Sequence, residues 1–167
     1  MYISLRPWTI EDAAALTAYF NNNNIWNNLR NYVPHPYTLE DSEGFITSQL
    51  EIFPTQNFAI LNEGEIVGGI GMVLLDDIYK MNVELGYWVA EPFWHSGIGT
   101  IAVGLTTSYI FETFAVNRIV AEVFEPNKAS MRVLEKNGFF LESVRRKGIL
   151  KNELLMDDYV WVKQKIY

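Results

Sequence analysis

The chain has no cysteine among its 167 residues, and that absence excludes disulfides, thiolate nucleophiles, acyl-cysteine intermediates and Cys-ligated zinc together. Histidine is nearly missing too. His35 and His95 are the only two, far apart in the chain and without a paired ligand, so no metal site is expected. Basic charge is scarce: 13 Lys and Arg stand against 20 Asp and Glu, a net charge of -7. This sign argues against phosphate backbones and anionic membranes, so neither nucleic acid nor membrane is expected as a partner, whereas a cationic partner suits it. Long apolar runs are lacking. The longest uncharged helical stretch, Ile98 to Phe111, contains Gly and Thr and is shorter than the roughly 18 residues of a membrane span. The opening Met1 to Arg6 has no basic segment followed by an apolar one, so a secretory signal is not expected and a cytoplasmic location is.

What is present is a globular composition, with 49% hydrophobic and 20% charged residues and 5 Trp, 9 Tyr and 10 Phe to fill a core. The length falls within the range of about 100 to 200 residues common for one domain. No repeat or Gly/Ser linker divides it, so one domain over 1–167 is expected. Tyr2 to Arg6 reads as an opening strand, and Thr9-Ile-Glu-Asp12 as a capping box before a helix over Ala13 to Phe20. The Asn-rich stretch Asn21 to Asn31 ends that helix. Pro34 and Pro36 keep Tyr32 to Tyr37 extended, and Thr38-Leu-Glu-Asp41 caps a second helix closed by Pro54. Strands follow at Asn57 to Leu61, Ile66 to Leu75 and Met81 to Val89, a meander with a turn at Asn62-Glu-Gly64. Then come a helix over Gly97 to Phe114, a strand over Arg118 to Phe124, and a helix over Ser130 to Asn137 with Gly138 as its C-terminal cap. A closing hairpin is expected from Phe139 to Lys147 and Leu155 to Lys163. The total is a mixed sheet of six or seven strands with helices on its faces, an α/β (α+β) fold.

The chemistry concentrates in Val83-Glu-Leu-Gly-Tyr-Trp-Val-Ala-Glu-Pro-Phe-Trp-His-Ser-Gly-Ile-Gly-Thr100, a strand, a short loop and Gly-x-Gly at a helix start. Glycines let backbone approach a ligand, and the unpaired N–H groups of a first helical turn suit an anion such as a pyrophosphate. Gly97-Ile-Gly-Thr-Ile-Ala102 also satisfies the Gly-x-Gly-x-x-Gly/Ala form of a dinucleotide fingerprint, with Glu122 twenty residues beyond Ala102. That fingerprint normally opens a series of βαβ units, whereas here several strands precede it.

The order of features resembles the GNAT N-acetyltransferase superfamily. Trp94-His-Ser-Gly-Ile-Gly99 follows the family's Gln/Arg-x-x-Gly-x-Gly/Ala acetyl-CoA motif except for Trp94. That exception is similar to the ribosomal-protein alanine N-acetyltransferase-like (RimJ/RimL-type) branch. Val33-Pro-His-Pro-Tyr-Thr-Leu-Glu-Asp41 and Asn127-Lys-Ala-Ser-Met-Arg-Val-Leu-Glu-Lys-Asn-Gly-Phe139 resemble the same branch, so the likeness reaches from Val33 to Phe139. It implies a mostly antiparallel sheet with helices on both faces, acetyl-CoA as co-substrate and a primary amine as acceptor, a peptide or protein N-terminus or a small amine.

On that reading His95, Ser96, Gly97, Ile98, Gly99 and Thr100 would hold the pyrophosphate, Trp88, Val89 and Ala90 would pair with the pantetheine, and Asn127 would hold the cofactor. Glu84, on the strand face it shares with Gly86 and Trp88, would accept the amine's proton, directly or through water. Many family members carry a Tyr general acid immediately before the Glu-Lys-x-Gly-Phe segment, and Leu134 stands there, so the acid role moves to Ser130. Tyr159 and Trp161 are expected in the core. Two other readings remain open: a non-catalytic acyl-CoA-binding module, which the missing Tyr allows, and a small dinucleotide-binding protein.

Overall fold

The computed structural model describes residues 1–166, which form two compact units: Met1–Gly71 with Tyr87–Ala102, and Met72–Gly86 with the residues from Val103 onward. In the first unit, β1 (Ile3–Pro7) lies antiparallel to β2 (Asn57–Asn62), with Leu5 opposite Ile60, and β2 lies antiparallel to β3 (Glu65–Leu74). The β2–β3 turn is Glu63-Gly64, with φ of 52° and 91°. Two left-handed residues in a two-residue loop match the right-handed twist of the flanking strands.

Helix α1 (Ala13–Phe20) begins after a 3-10 turn in which Thr9 N–H donates to Asp12 at 2.8 Å, as the capping box predicts. Asp12 also takes a two-pronged bond from Arg6 at 2.6 and 2.8 Å. Burial pushes the Asp12 carboxyl up, but the Arg6 guanidinium and the Thr9 N–H together outweigh it and hold it below the usual range. The Asn-rich run ends α1 as expected but also holds a short helix: α2 (Asn23–Trp26) forms within it because the Asn22 side chain caps the Asn24 and Ile25 N–H groups. Helix α3 (Leu39–Gln49) starts at the Thr38 cap and stops five residues before Pro54. Thr17 of α1 and buried Ser42 of α3 share a hydrogen bond of 2.6 Å. Trp8, Leu16, Tyr37, Ile46, Ala59 and Leu61 form the core, with Phe20 and Trp88 packed against it.

The second unit begins with the end of β3 and the start of β4 (Asn82–Val89), and it continues through the later part of α4 (Ile98–Thr113). Strand β5 (Arg118–Phe124) buries Ile119, Ala121 and Val123, the alternation that identifies it in sequence. Helix α5 (Lys128–Lys136) begins two residues earlier than expected, directly after its Asn127 cap, and Gly138 follows it at φ 76°. The closing hairpin is longer than expected. Strands β6 (Phe140–Lys151) and β7 (Leu154–Gln164) run on to a two-residue turn, Asn152-Glu153, with φ of 51° and 63°. Their register breaks between Arg145 and Ile149, where Lys147 is left-handed at φ 54°.

Hydrogen bonding orders the strands β1-β2-β3-β4-β5-β7-β6, a mixed seven-stranded sheet in which β4 and β5 form the parallel pair. Among the described residues no helix is long and apolar enough to cross a membrane.

Candidate active site

The turn ahead of α4 grows out of the end of β4. Ala90 N–H donates to Val67 C=O at 2.8 Å, and a Cβ on Gly68 would lie 2.3 Å from the Trp88 carbonyl oxygen. Both residues therefore turn their backbone polar groups toward β3. By the alternation of a strand, Val89 between them turns its N–H and C=O the other way. Its carbonyl accepts the Trp94 indole N–H at 2.6 Å, which leaves the Val89 N–H as the backbone donor of this stretch directed away from β3. The Trp88 ring lies under Gly69, whose Cβ would meet the Trp88 Nε1 at 2.6 Å and Trp8 at 3.0 Å. The Gly68-Gly69 pair thus gives Trp88 its place in the core, against Phe20 at 5.0 Å between ring centroids.

After Ala90 a 3-10 turn carries the chain to Trp94, with Phe93 N–H bonded to Ala90 at 2.9 Å and Trp94 N–H to Glu91 at 3.1 Å. The Ser96 hydroxyl donates to the Phe93 carbonyl. His95 (φ 62°) and Gly97 (φ 86°) are left-handed and exposed, and Ile98 is buried. The first bond of the α4 ladder is Ile101 N–H to Gly97 C=O at 3.2 Å. The N–H groups of Ile98 and Gly99 precede that ladder at the positive end of a 16-residue helix, the kind of donor an anion needs. A Cβ on Gly97 would meet nothing within 4 Å, so the space beside the turn is open.

In the second unit, Glu84 is half-buried on β4 opposite Val120 of β5. It closes their register, which covers only Asn82–Glu84 with Arg118–Val120 although both strands run further. Asn127 and Ser130 are brought together at the start of α5, where Asn127 Oδ1 accepts the Ser130 N–H at 3.2 Å. Leu134 is fully buried, so a core aliphatic fills the position at which the resemblance implies a hydroxyl. Tyr159 and Trp161 depart from the expected core. They are half-buried while Val160 and Val162 face inward, and the Lys128 ammonium lies 4.7 Å from the Tyr159 ring centroid.

The aromatic loop of the first unit divides between core and surface. Tyr37 is 7% exposed and its ring meets Phe20 at 4.8 Å; burial, with Asp41 nearby, pushes its phenol up to about 12. Tyr32 and His35 are exposed, and Trp26 stacks on His35 at 4.9 Å while donating to Val33 C=O at 3.1 Å. The Asn side chains brace the loop: Asn21 holds the Tyr37 backbone from both sides, and Asn28 bonds the Asn24 carbonyl.

Sequence reasoning missed several supports of these groups. Trp94 secures Val89 through its indole, and a Gly-Gly pair inside a strand was the readable sign of a close backbone approach at Gly68. Glu125 accepts the Asp157 N–H at 3.0 Å and returns its own N–H to the Asp157 carbonyl at 3.0 Å, fixing the connection from β5 to α5. Asp157 also accepts from Arg146 at 2.6 Å and from the Lys147 N–H at 2.9 Å, and these two bonds hold its carboxyl below the usual range. Nothing local in the sequence pairs those residues.

The family model "Acetyltransferase (GNAT) domain" matches residues 3–140. Over 171 aligned positions the chain is 30% identical to the uncharacterised N-acetyltransferase YoaA of Bacillus subtilis, covering 94% of this chain and 90% of the relative. Among solved structures it is similar to the ribosomal-protein-S5-alanine acetyltransferase of Vibrio fischeri, with TM-score 0.85, 21% identity and coverage of 98% of this chain and 93% of that one. The spermidine N-acetyltransferase of Vibrio cholerae, solved with CoA and spermine, matches with TM-score 0.82, 16% identity and coverage of 97% and 95%. A family match over most of the length, a full-length relative and the strand-turn-helix at Gly97 converge, and the chain belongs to the GNAT family of acetyl-CoA-dependent N-acetyltransferases.

Proposed function

We propose that 1–167 acts as one domain transferring the acetyl group of acetyl-CoA to the α-amino group of a peptide or protein N-terminus by direct attack in a ternary complex. The observation that carries the cofactor assignment is the left-handed Gly97 directly ahead of the N-terminus of the 16-residue α4. His95 to Thr100 would take the pyrophosphate, the Val89 N–H a pantetheine carbonyl, and Asn127, whose Oδ1 caps α5, would use its Nδ2 toward the cofactor. Acetyl-CoA supplies an activated thioester carbonyl. Glu84 removes the proton that the attacking nitrogen loses as the N–C bond forms, and Ser130 donates to the sulfur as the C–S bond breaks, giving an acetamide and a thiol. With no cysteine in the chain, the acyl group passes straight to the amine.

The fold likeness spans protein and polyamine acetyltransferases alike, so the peptide preference rests on the motif resemblance and on the loop. Trp26, Tyr32 and His35 remain outside the core on a segment that Pro34 and Pro36 stiffen, while the net charge of -7 favours a cationic amine. Thiol release from acetyl-CoA tests this with short peptides bearing free or blocked N-termini, lysine-only acceptors and polyamines. Acetylation of free peptide N-termini is expected. Acetylation of polyamines but of no free peptide terminus overturns the peptide preference, and acetyl-CoA binding without thiol release on any amine identifies a non-catalytic binding module.

A further inference from the structure

Glu91 begins the 3-10 turn that leads from β4 to the cofactor turn, and it is half-buried. Its carboxylate takes two amide donors from the Asn-rich run: Asn22 Nδ2 bonds Oε2, and Asn24 Nδ2 bonds Oε1 at 2.9 Å. Asn24 lies in α2 and Asn22 is its cap, accepting the Asn24 N–H at 2.8 Å and the Ile25 N–H at 3.3 Å. A helix of four residues has no intrinsic stability, so this one exists by virtue of its cap and its tie to Glu91. Beyond α2, Trp26 stacks on His35 and bonds Val33, carrying the connection into the aromatic loop. A second contact reinforces the first: Tyr19 of α1 meets Phe93 edge-on at 6.0 Å. The segment 91–97 is thereby joined to residues 19–35 through a carboxylate with both oxygens engaged, and charge-assisted bonds of this kind are the stronger ones.

We propose that Glu91 is a positioning residue that couples the acetyl-CoA turn to the acceptor loop. Cofactor seated at Gly97 to Thr100 restrains segment 91–97, Glu91 passes the restraint to Asn22 and Asn24, and α2 with Trp26 and His35 becomes ordered for the amine. The consequence is that cofactor and acceptor favour each other's binding, by the reciprocity that any coupling between two sites obeys. This inference rests on the assignment of the turn and the loop made above.

Peptide-resolved hydrogen exchange on the full chain, with and without saturating acetyl-CoA, reads the coupling without an identified acceptor. The α2 amides from Ile25 to Leu29 are hydrogen-bonded and report directly. In the parent, acetyl-CoA should slow exchange over 98–101 and also over 22–29, the latter by about 5-fold or more. In Glu91→Ala and Glu91→Gln the slowing over 98–101 should persist while that over 22–29 is lost or sharply reduced. The Glu91→Gln change leaves one of the two Asn amides facing another donor. The paired change E91Q with N22D reverses the polarity of the Asn22 bond, keeps an acceptor for the α2 cap and should restore the protection, which a merely structural role for Glu91 does not predict. Protection at 98–101 in the parent without any at 22–29, undiminished protection at 22–29 in both single variants, or no restoration in the paired variant each overturns the coupling. Absence of protection at 98–101 in the parent overturns the turn assignment itself, and the coupling with it.

Discussion

Substituting Gly97 separates the conformation of the turn ahead of α4 from the space beside it. The residue sits at φ 86°, and a Cβ there meets no atom within 4 Å, so in the ligand-free protein an added side chain carries a conformational cost and no clash. For Gly97→Ala that cost is about 1–2 kcal/mol. In a chain of this size it lowers the melting temperature by roughly 2–8 °C, taking about 2–4 °C per kcal/mol. Asn tolerates the left-handed region better than other side chains, so Gly97→Asn should melt close to the parent while still filling the open space. If the pyrophosphate approaches the backbone here, both variants must bind acetyl-CoA more weakly, the asparagine variant despite its near-normal stability. Isothermal calorimetry beside thermal melting distinguishes the two effects. A folded Gly97→Asn protein that binds acetyl-CoA as tightly as the parent would refute the cradle.

The remaining expectations concern the proton route and acid stability. Glu84→Gln should lower turnover by about 10²- to 10⁴-fold with unchanged acetyl-CoA affinity by calorimetry, and an unaltered rate across the pH range removes Glu84 from the reaction. Asn127→Ala should cost about 0.5–2 kcal/mol of stability as a lost cap, whereas Ser130→Ala should slow turnover while melting normally; the reverse pattern assigns Ser130 a structural role alone. Asp12 has its folded pKa depressed, so its contribution to stability is complete above its unfolded pKa, near 4, and is lost as pH falls through the lower folded value. Melting scans below about pH 4 should therefore fall more steeply for the parent than for Asp12→Asn, and parallel curves would show that the Arg6 pair does not couple to pH.

What could be read from sequence was what local physics decides. The β2–β3–β4 meander, β5 and α4 follow from alternation, turn chemistry and an uncharged helical run, although Gly97, expected as the first helical residue, is instead left-handed just ahead of α4. Helix α2 was not readable, because Asn is a poor helix former and the helix depends on Glu91, far along the chain. The hairpin strands were expected to stop at Lys147 and resume at Leu155, yet pairing through the register break carries them to Lys151 and Leu154. Tyr37, at the end of the segment that Pro34 and Pro36 keep extended, is core by tertiary packing, while Tyr159 and Trp161 were expected in the core and lie on the half-buried face of their strand. The glycines and Glu84 were proposed from their residue types and their place on a strand-turn-helix. Trp94, Glu91 and Asp157 matter through bonds to distant partners that no spacing announces.

The interruption in β6 bears on how the molecule behaves among copies of itself. β6 ends the strand order, and an uninterrupted outer strand would offer a row of backbone donors and acceptors on which another chain could build fibres. Here three consecutive cationic residues, Arg145, Arg146 and Lys147, occupy the middle of that row, and the left-handed Lys147 bends the ladder where its N–H is already taken by Asp157. A second copy pairing along this edge meets a bend in the backbone at the same place. The same irregularity that ties the hairpin to Asp157 therefore disfavours strand addition along this edge.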